Sequence, residues 1–423
     1  MKRQKKRLLI YGHYYLPDMA STGQLLGELA QGISDVFEVT VICVVPSYLG
    51  TIQPQYKTRW FYREVIDGIK VLRIRVPEFE KNSKISRIRN ILGYFLGALA
   101  ATFRVGPQDY VFSISQPPVL GGLLGVWGKW MKGAKYIYNI QDFNPEQILA
   151  VQYARNTAAM KLLLWADKFS CRRSDLVITV GRDLLDTLYR RFPEKKKPKA
   201  AVIHNWADEN TVYPLPPTER GVVEFRKRYG LENRFVVMYS GNIGLYYDLE
   251  NLIRVMERFP SGTRAADGRE VVFAFVGEGC MLETLMEHKR LHGMENVVFI
   301  PYQQRSELVY SLNAGDLHWC VSARGIKGVS CPSKYYGLAA AGRPVLGVLE
   351  KGSEIRCLIE DAQSGLCCDP GDYEAVEAHI RWFLSQAGSG QAQQMGMRGY
   401  RFLQEHLSKE RSVGRYITAI LDC

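Results

Sequence analysis

The feature that most constrains the fold is a regular alternation of short apolar runs with segments of helical spacing. The runs are almost continuous in Val, Ile, Leu and Tyr, which is typical of strands covered on both faces. Strands that alternate with helices predict parallel sheets with crossover helices. The predicted strands are 7–12, 39–45, 71–76, 110–115, 136–140, 176–180 and 201–203, then 235–240, 271–276, 297–300, 317–321, 344–348 and 366–368.

A proline-dense segment divides this alternation into two parts. Residues 213–218 are Tyr-Pro-Leu-Pro-Pro-Thr, which can continue neither a helix nor a central strand. A chain of 423 residues is long enough for two domains. We therefore predict an α/β protein with two doubly wound, Rossmann-like domains, 1–207 and 222–400, facing each other across a cleft. Ligands of such sheets bind beyond the carboxyl ends of the strands.

The charge is concentrated in the first half of the chain. Residues 1–210 hold 31 Lys and Arg against 18 Asp and Glu, an excess of 13, whereas the remainder holds 24 against 25. Such an excess favours nucleic acid, an anionic membrane or a phosphorylated substrate as the partner of the first domain. The alternative is a generally soluble basic surface, which predicts no such asymmetry.

Metal sites and membrane-spanning segments are not predicted. The nine cysteines are scattered without a Cys-x-x-Cys pair, so a cysteine zinc site is not expected. The basic N-terminus leads into only four apolar residues before Gly12, too few for a signal peptide. The longest later apolar run, 91–103, has 13 residues, whereas a spanning helix needs about 20.

The loop after the first predicted strand is a possible anion site. It runs from Gly12 to Gln24 and lacks a Gly-x-Gly-x-x-Gly sequence, so a dinucleotide site has no support. Its Ser-Thr-Gly end precedes a helical pattern and could offer backbone amides to an anion. An ordinary helix cap at Ser21 or Thr22 explains the same residues.

Three segments of the second half predict a diphosphate site. A strand leads through the Gly-x-x-Gly turn 241–244 to a helix from Asp248, and another strand ends in Gly-Glu-Gly at 277–279. Glycines let the backbone approach a ligand, and a helix start attracts negative charge, although glycine also simply turns chains. Pro332 and Ser333 begin a third predicted helix, where Lys334 adds a cation. A lone lysine is usually solvated, but one beside two such loops is a candidate phosphate ligand.

Four motifs give these segments a family resemblance. They are Tyr-Ser-Gly-Asn-Ile-Gly at 239–244, Val-Gly-Glu-Gly at 276–279, Pro-Ser-Lys-Tyr-Tyr-Gly at 332–337 and Ala-Ala-Gly-Arg-Pro-Val at 340–345. In this order and spacing the chain resembles family-four retaining glycosyltransferases, especially the branch that makes bacterial surface polysaccharides. Residues 139–146 and 203–208 look like that family's first-domain and linker motifs. The resemblance spans nearly the whole chain.

The resemblance implies both an architecture and a reaction. It implies the GT-B fold, with a last helix, 401–423, crossing back to the first domain, a nucleotide sugar in the second domain, and no metal or other cofactor. The implied reaction moves a sugar, with retained configuration, from a UDP-linked donor to a lipid-linked glycan acceptor in cell-surface polysaccharide assembly. The protein would be cytoplasmic and peripheral on the inner face of the cytoplasmic membrane.

The sequence departs from the family at three places. The family's Glu-x7-Glu pair falls on Val329 and Gly337, and neither is acidic. Asn242 replaces the basic residue that is common in the Gly-x-x-Gly turn. Tyr246-Tyr247-Asp248 replaces the usual Lys-Gly. Lys334 and the helix dipoles would then neutralise the diphosphate.

The resemblance assigns roles to individual residues. Lys334 and Asp142 are the candidate catalytic residues, with Asp142 facing the transferred sugar or the acceptor hydroxyl, or instead capping the helix at 145–146. No nucleophile is assigned. The predicted acceptor-binding residues are His13, Thr22, Gly23, Gln24 and Glu146. The predicted donor-binding residues are Gly241, Asn242, Ile243, Gly244, Gly277, Glu278, Gly279, Tyr302, Ser333 and Lys334.

The stretch 81–104 is the candidate membrane-binding segment. It begins with basic residues among isoleucines and continues as a very apolar helix. Such a sequence suits a helix lying in an anionic membrane interface, and a buried core helix with a basic rim is the alternative. The predicted membrane-contacting residues are Lys84, Arg87, Arg89, Phe95, Leu96, Trp127 and Trp130.

Other functions fit the sequence less well. A nucleic-acid-binding protein would use the same positive charge, but no recognised module is present, so no nucleic-acid partner is predicted. A GT-B enzyme with a soluble acceptor, or an epimerase of nucleotide sugars, would share the fold. Epimerases favour carboxylates for proton transfer, and the predicted site is poor in them.

Overall fold

The computed structural model describes residues 5–18, 20–80, 83–150 and 157–423. Within them, the chain forms two compact units. The first comprises residues up to 149 together with 157–203 and 413–423, and the second comprises 204–412. The predicted C-terminal segment 401–423 is therefore divided, since residues 401–412 belong to the second unit.

The first unit contains an eight-stranded sheet in the order β3-β4-β2-β1-β5-β6-β7-β8. All neighbours are parallel except the β3–β4 pair. The core of β1 is buried on both faces, because Leu8, Leu9 and Ile10 are fully inaccessible. The strands are β1 Lys6–Tyr11, β2 Phe37–Val44, β3 Phe61–Ile66, β4 Ile69–Ile74, β5 Tyr110–Ile114, β6 Lys135–Ile140, β7 Leu176–Thr179 and β8 Ala200–Val202.

Helices connect these strands. The described helices of this part are α1 Ser21–Ile33, α2 Lys84–Thr102, α3 Leu120–Lys132, α4 Asn144–Ala150, α5 Ala158–Arg173 and α6 Arg182–Arg190. Along the chain α2, α3 and α5 each connect successive parallel strands, and α3 packs against both α2 and α5. No helix of the described chain is both long and apolar enough to cross a membrane.

The second unit contains a six-stranded parallel sheet in the order β11-β10-β9-β12-β13-β14. Its strands are β9 Arg234–Ser240, β10 Glu270–Val276, β11 Val297–Ile300, β12 Leu317–Val321, β13 Val345–Val348 and β14 Gly365–Cys368. Its helices are α7 Arg220–Arg228, α8 Leu249–Met256, α9 Leu282–Leu291, α10 Leu308–Asn313, α11 Lys334–Ala340, α12 Glu354–Asp361, α13 Tyr373–Ser385 and α14 Gln391–Phe402.

The last helix, α15 Lys409–Leu421, returns the chain to the first unit. Tyr416 is buried there, and its hydroxyl accepts a hydrogen bond from Asn139 Nδ2 at 2.9 Å. Val413 packs over Gly32 of α1, where a Cβ would come within 2.9 Å of the valine side chain. Residues 413–423 therefore contribute to the core of the first unit.

The predicted fold class, an α/β protein with two parallel-sheet domains, is confirmed. The observed strands match the predicted runs to within about two residues at each end, but the sequence analysis missed β3. This strand has no buried residue, so it lacks the apolar run that revealed the others. It is held partly by Glu64, which accepts a 2.5 Å hydrogen bond from Nε of the fully buried Arg73 in β4.

Candidate functional site

The two glycine loops of the second unit meet at the carboxyl edge of its sheet. They follow β9 and β10, which are parallel neighbours with Ser240 opposite Val276. The amide of Gly241 donates to the Val276 carbonyl at 2.9 Å, and the amide of Ile243 donates to the Glu278 carbonyl at 2.9 Å. The structure therefore brings the predicted segments 241–244 and 277–279 together, backbone against backbone.

Glycine is required where these loops touch. A Cβ on Gly277 would lie 2.1 Å from the Gly241 carbonyl oxygen, and one on Gly279 would lie 2.1 Å from that of Ile243. Gly277 also has a φ of 138°, which other residues rarely adopt. These glycines create the close approach, while the side chains of Asn242 and Glu278 remain exposed.

Lys334 lies over the first of these loops. It begins α11, with Ser333 in the N-cap position, although the serine side chain makes no capping bond. The lysine side chain crosses Gly241, where a Cβ would approach Cε to 2.5 Å. Its ammonium lies 3.5 Å from the centroid of the Tyr247 ring and 5.3 Å from that of Tyr239. The cation is thus positioned by two aromatic faces beside the Gly-x-x-Gly turn.

The residues that depart from the family sequence are built into this arrangement. The Tyr239 hydroxyl donates to the Asn242 carbonyl at 2.6 Å, which fixes the turn. Asp248 adopts a left-handed φ of 54° and accepts hydrogen bonds from Asn251 Nδ2 at 2.6 Å and from the Tyr373 hydroxyl at 2.7 Å. Burial and the bond to Asp248 raise the pKa of Tyr373 to about 12. Asp248 therefore has a structural role.

Tyr239 and Tyr247 are functional candidates that the sequence analysis missed. Tyr239 is the next-to-last residue of β9, and the sequence analysis includes it in the 239–244 motif without giving it a role. Tyr247 was noticed only as a departure from the family pattern. The available signal was an aromatic residue at a position where the family has a charged one.

The positions of the family's carboxylate pair hold no acid. Val329 is buried, and Gly337 faces Leu312, whose Cδ1 would lie 3.3 Å from an added Cβ. A carboxylate elsewhere in the unit is buried instead: Glu354, at the start of α12, lies 3.0 Å from His204 Nε2. His204 belongs to the linker motif at 203–208, and no local pattern indicates that Glu354 is its partner.

The remaining donor-site predictions differ in exposure. Tyr302 is exposed in the loop after β11, and Ser333 is exposed at the start of α11. Ile243 and Gly244, the last two residues of the turn, are buried. The described geometry therefore offers a ligand the side chains of Asn242, Glu278 and Lys334 at one edge of the sheet.

In the first unit, His13 is neutral and enclosed. Its ring stacks on Tyr14 at 4.3 Å and on Tyr94 at 4.8 Å, and its Nε2 lies 3.2 Å from Asn90 Oδ1. Burial lowers its pKa from 6.5 to about 4. Nearby, Thr22 donates from Oγ1 to Gln116 Oε1 at 3.2 Å.

The neighbouring residues Gly23 and Gln24 begin α1. Gly23 packs against the backbone of Tyr14, where a Cβ would lie 3.1 Å from the carbonyl carbon. Gln24 is half-buried, and its amide donates to the Ala20 carbonyl at 3.0 Å. The helix begins at Ser21, and its N-cap residue Ala20 makes no side-chain capping bond, so the predicted cap at Ser21 or Thr22 is wrong.

Glu146 takes part in an internal ion-pair network. It accepts hydrogen bonds from Arg191 Nε at 2.8 Å and Arg191 Nη2 at 2.6 Å, and Asp167 accepts another from Nη1 at 2.6 Å. Burial alone would lower the pKa of Arg191, but the two carboxylates raise it above its ordinary value. Asp142 lies nearby in sequence, half-buried, with its amide donating to Ser115 Oγ at 3.3 Å.

Helix α2 exposes an apolar stripe to solvent. Ile85, Ile88, Leu92 and Leu96 are 74%, 56%, 47% and 63% exposed, and their spacing places them on one side of the helix. Lys84, Arg87 and Arg89 are also exposed, whereas Tyr94 and Ala98 pack inward. The alternative of a buried core helix is therefore wrong for this stripe. Lys81, at the start of the predicted segment, lies outside the described residues.

The predicted aromatic contacts differ in exposure. Trp130 of α3 is exposed, with its ring edge-on to Phe169 of α5 at 6.2 Å. Trp127 is half-buried because its indole donates to the Leu99 carbonyl at 3.3 Å and its ring packs on Phe103. Phe95 is likewise half-buried. Trp127 and Phe95 therefore pack against protein with part of their surface.

Two known sequence families match the two halves of the chain. Residues 22–206 match the glycosyl transferase 4-like domain, and residues 223–402 match glycosyl transferases group 1. Together these matches cover most of the chain. The first match covers β2 to β8, and the second covers β9 to β14 together with the glycine loops and Lys334.

Individual proteins show the same likeness. The chain is 26% identical to the probable glycosyltransferase WbjE of Pseudomonas aeruginosa over 305 residues, which are 71% of this chain and 73% of WbjE. It is 25% identical to the putative colanic acid biosynthesis glycosyl transferase WcaI of Escherichia coli K12 over 389 residues, 89% and 92% of the two chains.

A solved structure extends the likeness to the fold. HepE of Anabaena, in complex with UDP-glucose, superposes with a TM-score of 0.70 at 16% identity, covering 98% of this chain and 99% of HepE. The family matches, the relatives and the fold indicate the same class of protein as the glycine loops and the lysine of the second unit. The chain therefore belongs to the family-four glycosyltransferases and is an enzyme of the GT-B fold.

Proposed function

We propose that this glycosyltransferase moves a sugar, with retained anomeric configuration, from a UDP-sugar to a lipid-linked glycan during surface polysaccharide assembly. The observation that carries the proposal is the meeting of two glycine loops at one sheet edge, with Lys334 crossing the first of them. The name of WcaI, a putative colanic acid biosynthesis glycosyl transferase, supports the role in polysaccharide assembly, and the UDP-glucose bound to HepE supports the donor class.

The proposed chemistry depends on stabilising the leaving group. The bond between the sugar's anomeric carbon and the diphosphate breaks, and a bond to the acceptor oxygen forms as the acceptor hydroxyl loses its proton. The negative charge that develops on UDP is stabilised by the Lys334 ammonium and by backbone amides of the 241–244 turn. Asn242 contributes neutral hydrogen bonds, and Asp142 faces the sugar or the acceptor hydroxyl. The transfer requires no metal.

The acceptor assignment is based on the first unit. Its basic excess attracts anionic lipid, and the exposed stripe of α2 supplies apolar side chains to insert between headgroups. Trp130 of α3 adds an exposed aromatic ring of the type that suits a membrane interface. The enzyme would act as a peripheral protein on the cytoplasmic face of the membrane and transfer the sugar there to its lipid-linked acceptor.

The test is a transfer assay with matched donor and acceptor panels. Purified enzyme is incubated with UDP-, GDP- and ADP-sugars, and with lipid-linked glycans from bacterial membranes or the same glycans released from lipid. Release of nucleoside diphosphate identifies the donor, and NMR of the product gives the anomeric configuration. We expect UDP-dependent transfer to the lipid-linked acceptor with retention.

Three outcomes would contradict separate parts of the proposal. Turnover with GDP- or ADP-sugars only would overturn the uridine donor. An inverted product would overturn retention. Equal rates with lipid-linked and released glycans would overturn recognition of the membrane-bound form.

A further inference from the structure

Three metal-ligating side chains meet where two helices of the second unit end. Glu257 directly follows α8, His288 lies in the last turn of α9, and His292 directly follows that helix. One potential ligand atom from each lies within 4.8 Å of the other two. Among the described residues, this is the single group of three His, Cys, Asp or Glu with that proximity.

The potential ligand atoms of the three side chains lie close together. His288 Nε2 lies 2.6 Å from Glu257 Oε1, and His292 Nδ1 lies 3.6 Å from Glu257 Oε2. The two imidazole rings, four residues apart along the helix, are nearly parallel, with centroids 4.2 Å apart. Two histidines at this spacing on one helix face are a metal-binding arrangement.

The surrounding charges favour a cation. Arg258, next to Glu257, pairs with Glu377 at 2.6 Å, and Arg290 pairs with Glu287 at 2.6 Å. In the described chain the only basic groups paired with Glu257 are the two imidazoles. The negative ends of both helix dipoles also lie here, where a carboxylate is unfavourable and a cation is favourable.

We infer that Glu257, His288 and His292 bind a divalent transition-metal ion, with zinc as the best-matched probe. Two imidazole nitrogens and one carboxylate oxygen are a ligand set that zinc uses, with water in the fourth position. The ion joins the ends of α8 and α9, the helices that follow the two glycine loops.

The metal site is distinct from the transfer chemistry. Helices α8 and α9 contain 8 and 10 residues, and a helix rises about 1.5 Å per residue, so the ion lies more than about 10 Å from the loops at their other ends. The ion would brace the helices without contacting the donor. The inference is therefore independent of the proposed function.

The experiment is zinc titration of the full chain, prepared without a histidine tag, by isothermal calorimetry. We expect one zinc ion to bind at this site, and His288→Ala, His292→Ala and Glu257→Gln each to weaken that binding by at least about tenfold. Because His292 is exposed, its replacement should leave the fold intact, which circular dichroism in EDTA checks. His406→Ala, at an exposed histidine of another helix region, and Cys280→Ser, at an exposed thiol, are the controls.

Hydrogen exchange gives a second readout. Zinc should slow amide exchange in α8 and α9 of the wild-type chain but not of the His288→Ala/His292→Ala double variant. Undiminished zinc affinity in the double variant would overturn the site, as would loss of binding only in Cys280→Ser. Bound zinc that leaves exchange in both helices unchanged would overturn the bracing role.

Discussion

The two units are both built on largely parallel sheets, but their candidate functional residues lie in different places. In the second unit these residues lie at the strand ends, where two glycine loops touch and a lysine crosses one of them. In the first unit His13, which follows β1, and Glu146, which lies in α4, are held by protein partners, and the unusual surface is the outer side of a helix. The second sheet is parallel throughout, whereas the first ends in an antiparallel pair.

Under the proposed function, this difference lets one architecture support two kinds of recognition. A small anionic ligand needs close backbone approach and a fixed cation, which strand-end loops provide. A lipid surface needs an extended area of basic and apolar side chains, which a helix face provides. The charge balance of the two halves, +13 against −1, follows the same division.

Removal of the Lys334 charge tests the proposed donor site of the second unit, and we expect it to have the largest effect. Lys334→Ala should lower the rate of transfer by roughly 10²–10³-fold, because it removes a cation facing the leaving diphosphate. The measurement is kcat/KM for the donor. Lys227→Ala, at an exposed lysine of α7, is the matched control. Equal rates in the two variants would show that Lys334 has no role in the donor site.

Charge reversal on α2 tests the first unit. Each Lys or Arg near an anionic surface contributes roughly 1 kcal/mol, so Lys84→Glu/Arg87→Glu/Arg89→Glu should weaken vesicle binding by about 100-fold or more. The measurement is sedimentation with anionic vesicles. The control reverses three exposed charges of the second unit, Lys227, Arg228 and Arg254. If both triple variants lose binding equally, the attraction is not localised.

The apolar stripe should account for the binding that survives high salt. Salt screens the ionic attraction but not the burial of apolar surface. Leu92→Ser/Leu96→Ser should therefore release the enzyme from vesicles at high salt, while Val223→Ser, at an exposed valine of α7, should not. Persistent high-salt binding by the double variant would exclude insertion of this stripe.

Low pH should lower the stability of both units, because each contains one buried histidine. Burial lowers the pKa of His13 and of His318 from 6.5 to about 4, so the unfolded chain takes up each proton first. Stability then falls as the pH drops from about 6.5 to about 4, by up to about 3 kcal/mol per histidine.

Glutamine substitutions separate the two contributions. His13→Gln should reduce the acid-induced loss of stability in the first unit only, and His318→Gln in the second only. Urea unfolding at pH 6.5 and 4.5, followed in each unit by pulsed hydrogen exchange, measures both. If neither substitution reduces the acid-induced loss of stability, that loss arises from other groups.

The aromatic contact to Lys334 should have the smallest effect. A cation–π contact contributes about 0.5–2 kcal/mol, so Tyr247→Leu should lower kcat/KM for the donor by roughly 2- to 30-fold. Tyr247→Phe keeps the ring and should retain most activity. Equal losses in the two variants would indicate that the hydroxyl, rather than the ring face, is what matters.

The sequence predicted the fold better than the details of the site. Buried parallel strands such as β1 are marked in the sequence by local apolar runs. Strand β3 has no such run, because it has no buried residue and is held partly by an ion pair with Arg73 of the neighbouring strand. The glycine loops and Lys334 were recognisable as motifs. The contacts of Tyr247 with Lys334 and of Glu354 with His204 join residues 87 and 150 positions apart, and no local pattern reveals them.

The return of residues 413–423 to the first unit has a consequence for synthesis. Tyr416 and Ile420 fill its interior, yet the ribosome must make residues 204–412 before it reaches them. At about 5–20 residues per second, that interval is roughly 10–40 s. During it the nascent first unit lacks one of its own core helices, while the second can already fold. The unit that begins first is therefore completed last, and it is the one that chaperones would need to shield.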